Sequence, residues 1–181
     1  MPAWSEHVRL ASWPLLPNLA NVYGYNVILA KSLHVQTRAL VPRWFPTGLS
    51  QVTLWAAYNV TMGNASYLVY RDGGGLEGVA RLPMAAYVIS VCYSCAWPVV
   101  FYRHLHFKLA LFDIGMLCGL VAAMTCLYRP ISNMAAALTV PCFCWLINVA
   151  FFNFRVWRNA RLYDGNCKSC FDSTAPNIPY G

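Results

Sequence analysis

Three tryptophans, Trp55, Trp97 and Trp145, lie well inside long apolar segments of the chain. In membrane proteins, tryptophan usually concentrates at the two interfaces, where its ring can meet both lipid and water. An indole deep inside an apolar segment offers a flat hydrophobic surface and one N–H donor. This placement predicts a pocket for a flat, apolar ligand, and aromatic core packing is the alternative explanation.

The segment that carries Trp145 also carries polar side chains. Residues 134–154 hold no charge, yet they include two asparagines. Polar groups inside a membrane are costly and usually face protein, water or a ligand. At about 100° per residue, one stripe of a helix here would contain Pro141, Trp145, Asn148, Val149, Phe152 and Val156, with Asn153 on its shoulder. We predict that this stripe faces inward and lines the pocket.

The residue types that catalysis and metal binding require are sparse. The four histidines all lie outside the apolar segments, at His7, His34, His104 and His106. The Cys-x-x-Cys pair of Cys167 and Cys170 has no second pair to complete a zinc site. The sequence contains no nucleophile elbow, phosphate loop or paired intramembrane carboxylates. We therefore predict no catalytic residue, no metal and no cofactor, and a protein that is not an enzyme.

The composition is that of a membrane protein. The chain is 59% hydrophobic and only 10% charged, whereas a soluble domain carries about 25% charged residues. The net charge of +7 contains no basic run, and a basic run or stripe is what nucleic-acid binding would require. We predict a protein whose main partner is the lipid bilayer and which does not bind nucleic acid.

Five apolar segments are long enough to span a bilayer as helices. Their approximate ranges are 12–30, 49–70, 82–102, 109–128 and 134–156. The first is the weakest because proline and asparagine dilute it. The short connections force neighbouring helices to run antiparallel. The predicted fold class is therefore an all-α membrane protein, a five-transmembrane-helix bundle over residues 1–162, followed by a polar, disordered tail over residues 163–181.

The basic residues distribute unequally between the two ends of this bundle. Four lie at one end, namely Arg9, Arg71, Arg81 and Arg129. Nine lie at the other end, namely Lys31, Arg38, Arg43, Arg103, Lys108, Arg155, Arg158, Arg161 and Lys168. The positive-inside tendency places the second end, with the C-terminus, on the cytosolic side.

The fourth segment carries a small-residue motif and a carboxylate. Gly115 and Gly119 form a GxxxG motif that Ala123 extends, which lets another helix approach closely. We expect that helix to belong to the same bundle, and a homodimer face is the alternative. Asp113 lies four residues inside the segment, where a carboxylate must snorkel to the interface, pair or serve a site. We expect it to pair with a basic group such as Arg103 or Lys108.

Several motifs together resemble those of the translocator protein family, which includes the peripheral-type benzodiazepine receptor of animals and the tryptophan-rich sensory protein of bacteria. They are PRWFP at 42–46, Trp55, MGNASYLVYRDGGG at 62–75, AWP at 96–98, LALFD at 109–113, and SNMAA, VP, Trp145, Asn153 and VWR between 132 and 158. The RDGGG turn is most similar to animal members. The resemblance implies five transmembrane helices around a cavity that binds porphyrins and drug-like ligands, and a cholesterol-interaction segment on the fifth helix.

The resemblance also implies the residues of the ligand site. Together with Asn148 from the helical stripe, the predicted ligand-binding set is Trp55, Trp97, Met116, Trp145, Asn148, Val149, Phe152 and Asn153. The predicted sterol-interaction set is Val149, Phe154 and Arg158. This chain departs from the family pattern because Phe154 replaces the tyrosine of the sterol motif. It also has Cys95, Val99 and Leu109 where family members carry tryptophan or proline.

The resemblance implies a non-enzymatic protein that binds cholesterol or related sterols and porphyrin or haem, with a role in lipid transport. A porphyrin-degrading enzyme that uses redox-active indoles is one alternative function. A membrane scaffold or sensor is the other. The location implied is the mitochondrial outer membrane, with the endoplasmic reticulum as the alternative.

Overall fold

All the regular structure of the described residues is helical. A computed structural model describes residues 13, 15–31 and 40–171, of which residues 163–171 are described by their backbone alone. The helices are α1 (Leu15–Ala20), α2 (Val22–Lys31), α3 (Leu49–Asp72), α4 (Arg81–Pro98), α5 (Phe107–Tyr128) and α6 (Asn133–Phe171), with a 3₁₀ turn at Gly75–Glu77 and a π-helical turn at Val99–Arg103. This confirms the all-α class.

Within the described residues, three helices are long and apolar enough to cross a membrane. They are Arg81–Arg103, Phe107–Tyr128 and Asn133–Leu162, close to the third, fourth and fifth predicted segments. α3 is long enough with its 24 residues, but its polar side chains lower its mean hydropathy. The sequence and the structure together support an integral membrane protein. Three of the five predicted spans correspond to helices of this kind.

The first predicted span is broken in the middle. α1 and α2 are separated at Asn21, whose side chain is fully buried. Asn21 Nδ2 donates to the carbonyl of Pro17 at 3.0 Å and to Ser94 Oγ of α4 at 3.0 Å. The amide therefore ties the break to α4, because a buried polar group in a membrane must find its partners within the protein.

A widened helical turn follows Pro98. Proline has no N–H, so the regular hydrogen bond from Pro98 to the preceding turn is missing. The backbone continues as a π-helical turn in which the His104 amide donates to the Val99 carbonyl at 3.1 Å. Such turns insert an extra residue into a helix. As a result, the consecutive side chains of Phe101 and Tyr102 are both buried, at 0% and 2% exposure.

α6 is much longer than its predicted span of residues 134–156. It contains 39 residues, about 58 Å at 1.5 Å per residue, against a hydrocarbon core of about 30 Å. The helix includes residues 163–171, the first nine residues of the segment predicted as a polar tail. Residues 172–181 lie outside the described part of the chain.

Two predictions about α5 were wrong. Gly115, Gly119 and Ala123 are exposed on the outside of the bundle, and no atom lies within 4 Å of the place a Cβ would occupy at either glycine. The helices that pack on α5 meet its other face instead, where Ala110, Ile114, Leu117 and Val121 are buried.

Asp113 is buried, yet it forms no ion pair with Arg103 or Lys108, and its Oδ2 has no hydrogen-bond partner. Arg103 instead turns toward Tyr23, so the expected pairing of Asp113 is not formed.

Candidate functional site

A continuous set of six aromatic rings joins α3, α4, α6 and the loop before α3. We call it the aromatic cluster, and its members in order of contact are Trp55, Trp97, Phe101, Phe152, Phe45 and Trp145. Their ring centroids are 4.9, 5.3, 5.1, 3.7 and 6.1 Å apart in that order. Four of these separations lie in the range of aromatic pairs that add to stability beyond the area they bury, and the Phe152–Phe45 pair is closer and nearly parallel.

One end of the cluster is a stacked pair of indoles. Trp55 of α3 and Trp97 of α4 are both fully buried, with an angle of 24° between their ring planes. Antiparallel helices bring these positions together, since Trp55 lies near the start of α3 and Trp97 near the end of α4. The structure therefore places two of the three predicted tryptophans in direct contact.

Asn153 fixes the orientation of the second indole. Trp97 Nε1 donates to Asn153 Oδ1 at 3.2 Å, and Asn153 Nδ2 donates to the Val149 carbonyl one turn earlier at 2.8 Å. Asn153 and Val149 are both fully buried. The asparagine is thus partnered within the protein, which explains how α6 tolerates an amide at this depth.

Within the part of the chain that the structure describes, three donors in and beside the cluster have no acceptor. Trp55 Nε1, Gln51 Nε2 and Trp145 Nε1 are buried and lack a hydrogen-bond partner. Gln51 lies one turn before Trp55 on α3, and its Oε1 accepts a hydrogen bond from Tyr102 at 2.6 Å. A buried donor without an acceptor costs about 1–3 kcal/mol. Such donors, in an aromatic setting, fit an acceptor group on a flat ligand.

Phe45 belongs to the cluster although the sequence did not point to it. It lies in the loop just before α3, is only 4% exposed, and stacks on Phe152 with ring planes 7° apart. Trp44, the residue before it, is 47% exposed, so of the two aromatic residues in the PRWFP motif only Phe45 turns inward. The loop therefore covers one end of the cluster.

The inward face of α6 differs from the predicted stripe. Its buried positions are Ala135, Ala136, Thr139, Cys142, Leu146, Val149, Phe152, Asn153 and Val156. At about 100° per residue this stripe is turned by roughly 80° from the predicted one. Trp145 lies at its edge, half-buried, while Pro141 and Asn148 are exposed. The prediction that Asn148 faces inward was wrong because Leu146, not Trp145, packs at the centre of the helix interface.

Two further groups of predicted residues are not brought together. Met116 is 41% exposed on the outside of α5, so it does not join the aromatic cluster. In the predicted sterol set, Val149 is fully buried while Phe154 is 41% exposed and Arg158 is also exposed. Phe154 therefore shares the outer face of α6 with Arg158 and Trp157, its ring centroid lying 5.8 Å from that of Trp157.

Comparison with known proteins places these features in a family. Residues 15–158 match the profile of the TspO/MBR family. The chain is 28% identical to the translocator protein of Sus scrofa over 158 residues, which cover 87% of this chain and 92% of that protein. It is 33% identical to translocator protein 2 of Mus musculus over 118 residues, covering 65% of this chain and 73% of the relative. Since the family match runs from α1 to Arg158 of α6 and includes the whole aromatic cluster, the chain belongs to the TspO/MBR family.

Proposed function

We propose that this chain is a non-enzymatic ligand-binding protein of the membrane that binds sterols and porphyrins and takes part in cholesterol transport. The relatives it resembles are named translocator proteins. We assign the ligand site to the aromatic cluster with Gln51, Val149 and Asn153. We place the protein in the mitochondrial outer membrane, and fractionation of cells that express a tagged chain would test that location against the endoplasmic reticulum.

The observation that supports the site is the combination of stacked rings with unpaired N–H donors. A porphyrin is flat and carries carboxylate acceptors, and a sterol is flat and carries one hydroxyl. Trp55 Nε1 and Trp145 Nε1 could donate to either acceptor, and the indole faces match either ring system. A ligand that inserts among these stacked rings must displace one of them. Phe45 is the member on a loop and the one that can move with least disturbance to the helices.

Titration of the purified protein with protoporphyrin tests this proposal. Binding among the indoles should give saturable quenching of tryptophan fluorescence, and the same titration with a fluorescent sterol should give energy transfer from the indoles. Trp157→Phe serves as the control, because the Trp157 indole lies on the outer face of α6 and contacts Phe154 and Arg161 rather than the cluster. Quenching that stays linear with ligand concentration would exclude the pocket.

The hydrogen bonds made by polar side chains of α1, α2 and α3 support the proposal of five membrane spans. Asn59 Nδ2 of α3 donates to the Tyr25 hydroxyl of α2 at 2.9 Å, and that hydroxyl donates to Asn18 at 2.6 Å. Ser66 and Tyr128 share a hydrogen bond of 2.7 Å. These partners lie within the bundle, so α3 and the α1–α2 pair can face lipid with their apolar sides. Protease protection of tags at the two termini tests the count, since five spans leave them on opposite sides.

A sterol site on α6 would use its outer face near Phe154 and Arg158. Phe154→Tyr restores the tyrosine of the family's sterol motif and adds a hydroxyl beside the arginine. We expect sterol affinity to rise by about twofold to twelvefold, the effect of one additional hydrogen bond of about 0.5–1.5 kcal/mol. Binding of a fluorescent sterol measures it, with Phe151→Tyr as the matched exposed control. Equal gains in both variants would remove Phe154 from the site.

A homodimer is a second proposal, supported by the outward position of the small residues on α5. Gly115, Gly119 and Ala123 form an exposed stripe on which another helix could pack at close range. Gly119→Leu should then shift the protein from dimer to monomer in blue-native electrophoresis, with Leu120→Ile as a control of similar composition. A dimer that survives Gly119→Leu would show that α5 is not the interface.

A further inference from the structure

A surface groove lies between α2 and the π-helical turn, apart from the aromatic cluster. Its volume is about 380 Å³, and it is lined by Tyr23, Asn26, Val27, Ala30, Lys31 and Arg103. This volume is within the range of small-molecule sites in proteins. Two of the lining residues are cationic and two are apolar, so the groove is amphipathic.

Arg103 is held in place by an aromatic side chain. Its Nη1 donates a hydrogen bond to the Tyr23 hydroxyl, and its guanidinium carbon lies 5.9 Å from the centroid of the same ring. A guanidinium has five N–H donors, so most of them remain after this bond. An arginine fixed in this way loses little side-chain freedom when it binds an anion, and its planar fork matches phosphate oxygens.

The charged residues that line the groove, Lys31 and Arg103, are both positive. Lys31 adds a second cation from the last turn of α2, although it also has another contact in the chain, so Arg103 is the principal anchor. None of the lining residues is acidic. The described acidic residue closest to Arg103 along the chain is Asp113 of α5, which is buried and does not line the groove. A net negative group is therefore favoured over a zwitterion.

The groove lies where lipid headgroups meet the protein. Arg103 is the last residue of the apolar stretch Arg81–Arg103, and Lys31 is the last residue of α2. Basic residues at the ends of apolar helices mark the membrane interface. Val27 and Ala30 continue the groove along α2 toward the apolar part of the bundle, as the glycerol and first methylenes of a lipid would require.

We propose that this groove binds the headgroup phosphate of an anionic glycerophospholipid, with Arg103 as the phosphate ligand and Lys31 as a supporting charge. Each basic residue near an anionic membrane surface is worth about 1 kcal/mol, which corresponds to about fivefold in affinity. The site is separate from the aromatic cluster and does not depend on the function proposed for that cluster.

Native mass spectrometry of the full chain in detergent tests the proposal. The probes are phosphatidylglycerol and phosphatidylcholine with the same acyl chains, added in equal amounts. The wild type should retain phosphatidylglycerol preferentially, and Arg103→Gln should lower that preference about fivefold. Lys108→Gln is the matched control, because Lys108 is an exposed cation that does not line the groove.

A second variant and a competition experiment complete the test. Tyr23→Phe keeps the ring and removes the hydroxyl that orients Arg103, so it should weaken the preference by about twofold even if Arg103→Gln does not fold. Glycerol phosphate without acyl chains should not displace the bound lipid. The proposal is overturned if the wild type retains both lipids equally, if Lys108→Gln acts as strongly as Arg103→Gln, if Tyr23→Phe has no effect, or if glycerol phosphate competes fully.

Discussion

Replacing Phe152 with alanine should lower the free energy of unfolding by about 3–5 kcal/mol, the usual cost of removing a fully buried phenylalanine. Phe152 is 0% exposed and lies between two other rings, with centroids 3.7 Å from Phe45 and 5.1 Å from Phe101. Its loss leaves a cavity at the centre of the cluster and removes the surface on which the loop residue Phe45 rests. The variant should therefore also bind ligand poorly.

Thermal unfolding of the protein in a fixed detergent measures this effect. Phe154→Ala is the matched control, since it removes the same side chain two residues later, where it is 41% exposed. We expect the control to lose less than 1 kcal/mol, because surface substitutions usually have small effects. Equal destabilisation of the two variants would mean that the cluster contributes nothing particular to the fold.

Trp55→Phe and Trp97→Phe should separate ligand binding from stability. Both variants keep an aromatic ring in the stack, but they remove different N–H groups. Trp55 Nε1 has no partner among the described residues. Its removal relieves a buried unpaired donor, which offsets the packing lost with the smaller ring. Stability should therefore stay almost unchanged, while binding of a carboxylate-bearing porphyrin should weaken. A hydrogen bond to a charged group is worth about 1.5–3 kcal/mol, which is about 10-fold to 150-fold in affinity.

Trp97→Phe should have the opposite pattern. It leaves Asn153 Oδ1 buried without its donor, at a cost of about 1–3 kcal/mol in stability. Unfolding temperature and the protoporphyrin dissociation constant, measured on both variants, check the pair. If Trp55→Phe binds protoporphyrin as tightly as the wild type, the unpaired indole donor does not contact the ligand.

Local sequence features identified much of the candidate site. Deep indoles and an asparagine within an uncharged segment are unusual enough that Trp55, Trp97, Trp145 and Asn153 could be named from residue type and position. The helical stripe and the family resemblance both added Val149 and Phe152. Helix boundaries were close for α4 and α5, because Pro98, the 104–106 loop and Arg129-Pro130 interrupt the apolar pattern. Such interruptions depend on the local chain alone.

Other features depend on contacts between distant residues. The rotation of α6 is decided by which side chains α3 and α5 offer it, so a stripe centred on Trp145 looked as favourable as the observed one centred nearer Leu146. Phe45 stacks on Phe152, which lies 107 positions further along the chain. The residues next to Phe45 in the sequence do not predict that contact. The outward position of Gly115 and Gly119 likewise follows from the packing of the other face of α5.

The loop that carries Phe45 affects the rate at which a ligand leaves as well as its affinity. The other five rings of the aromatic cluster are on helices or on the π-helical turn, whereas Phe45 lies between Pro42 and Pro46 in a connecting segment. Proline on either side restricts the backbone to a few conformations. If a ligand enters and leaves past this ring, its residence time is set by how often the short segment moves away from the helices. Two family members that bind the same ligand with equal affinity would then release it at different rates if their loops open at different rates.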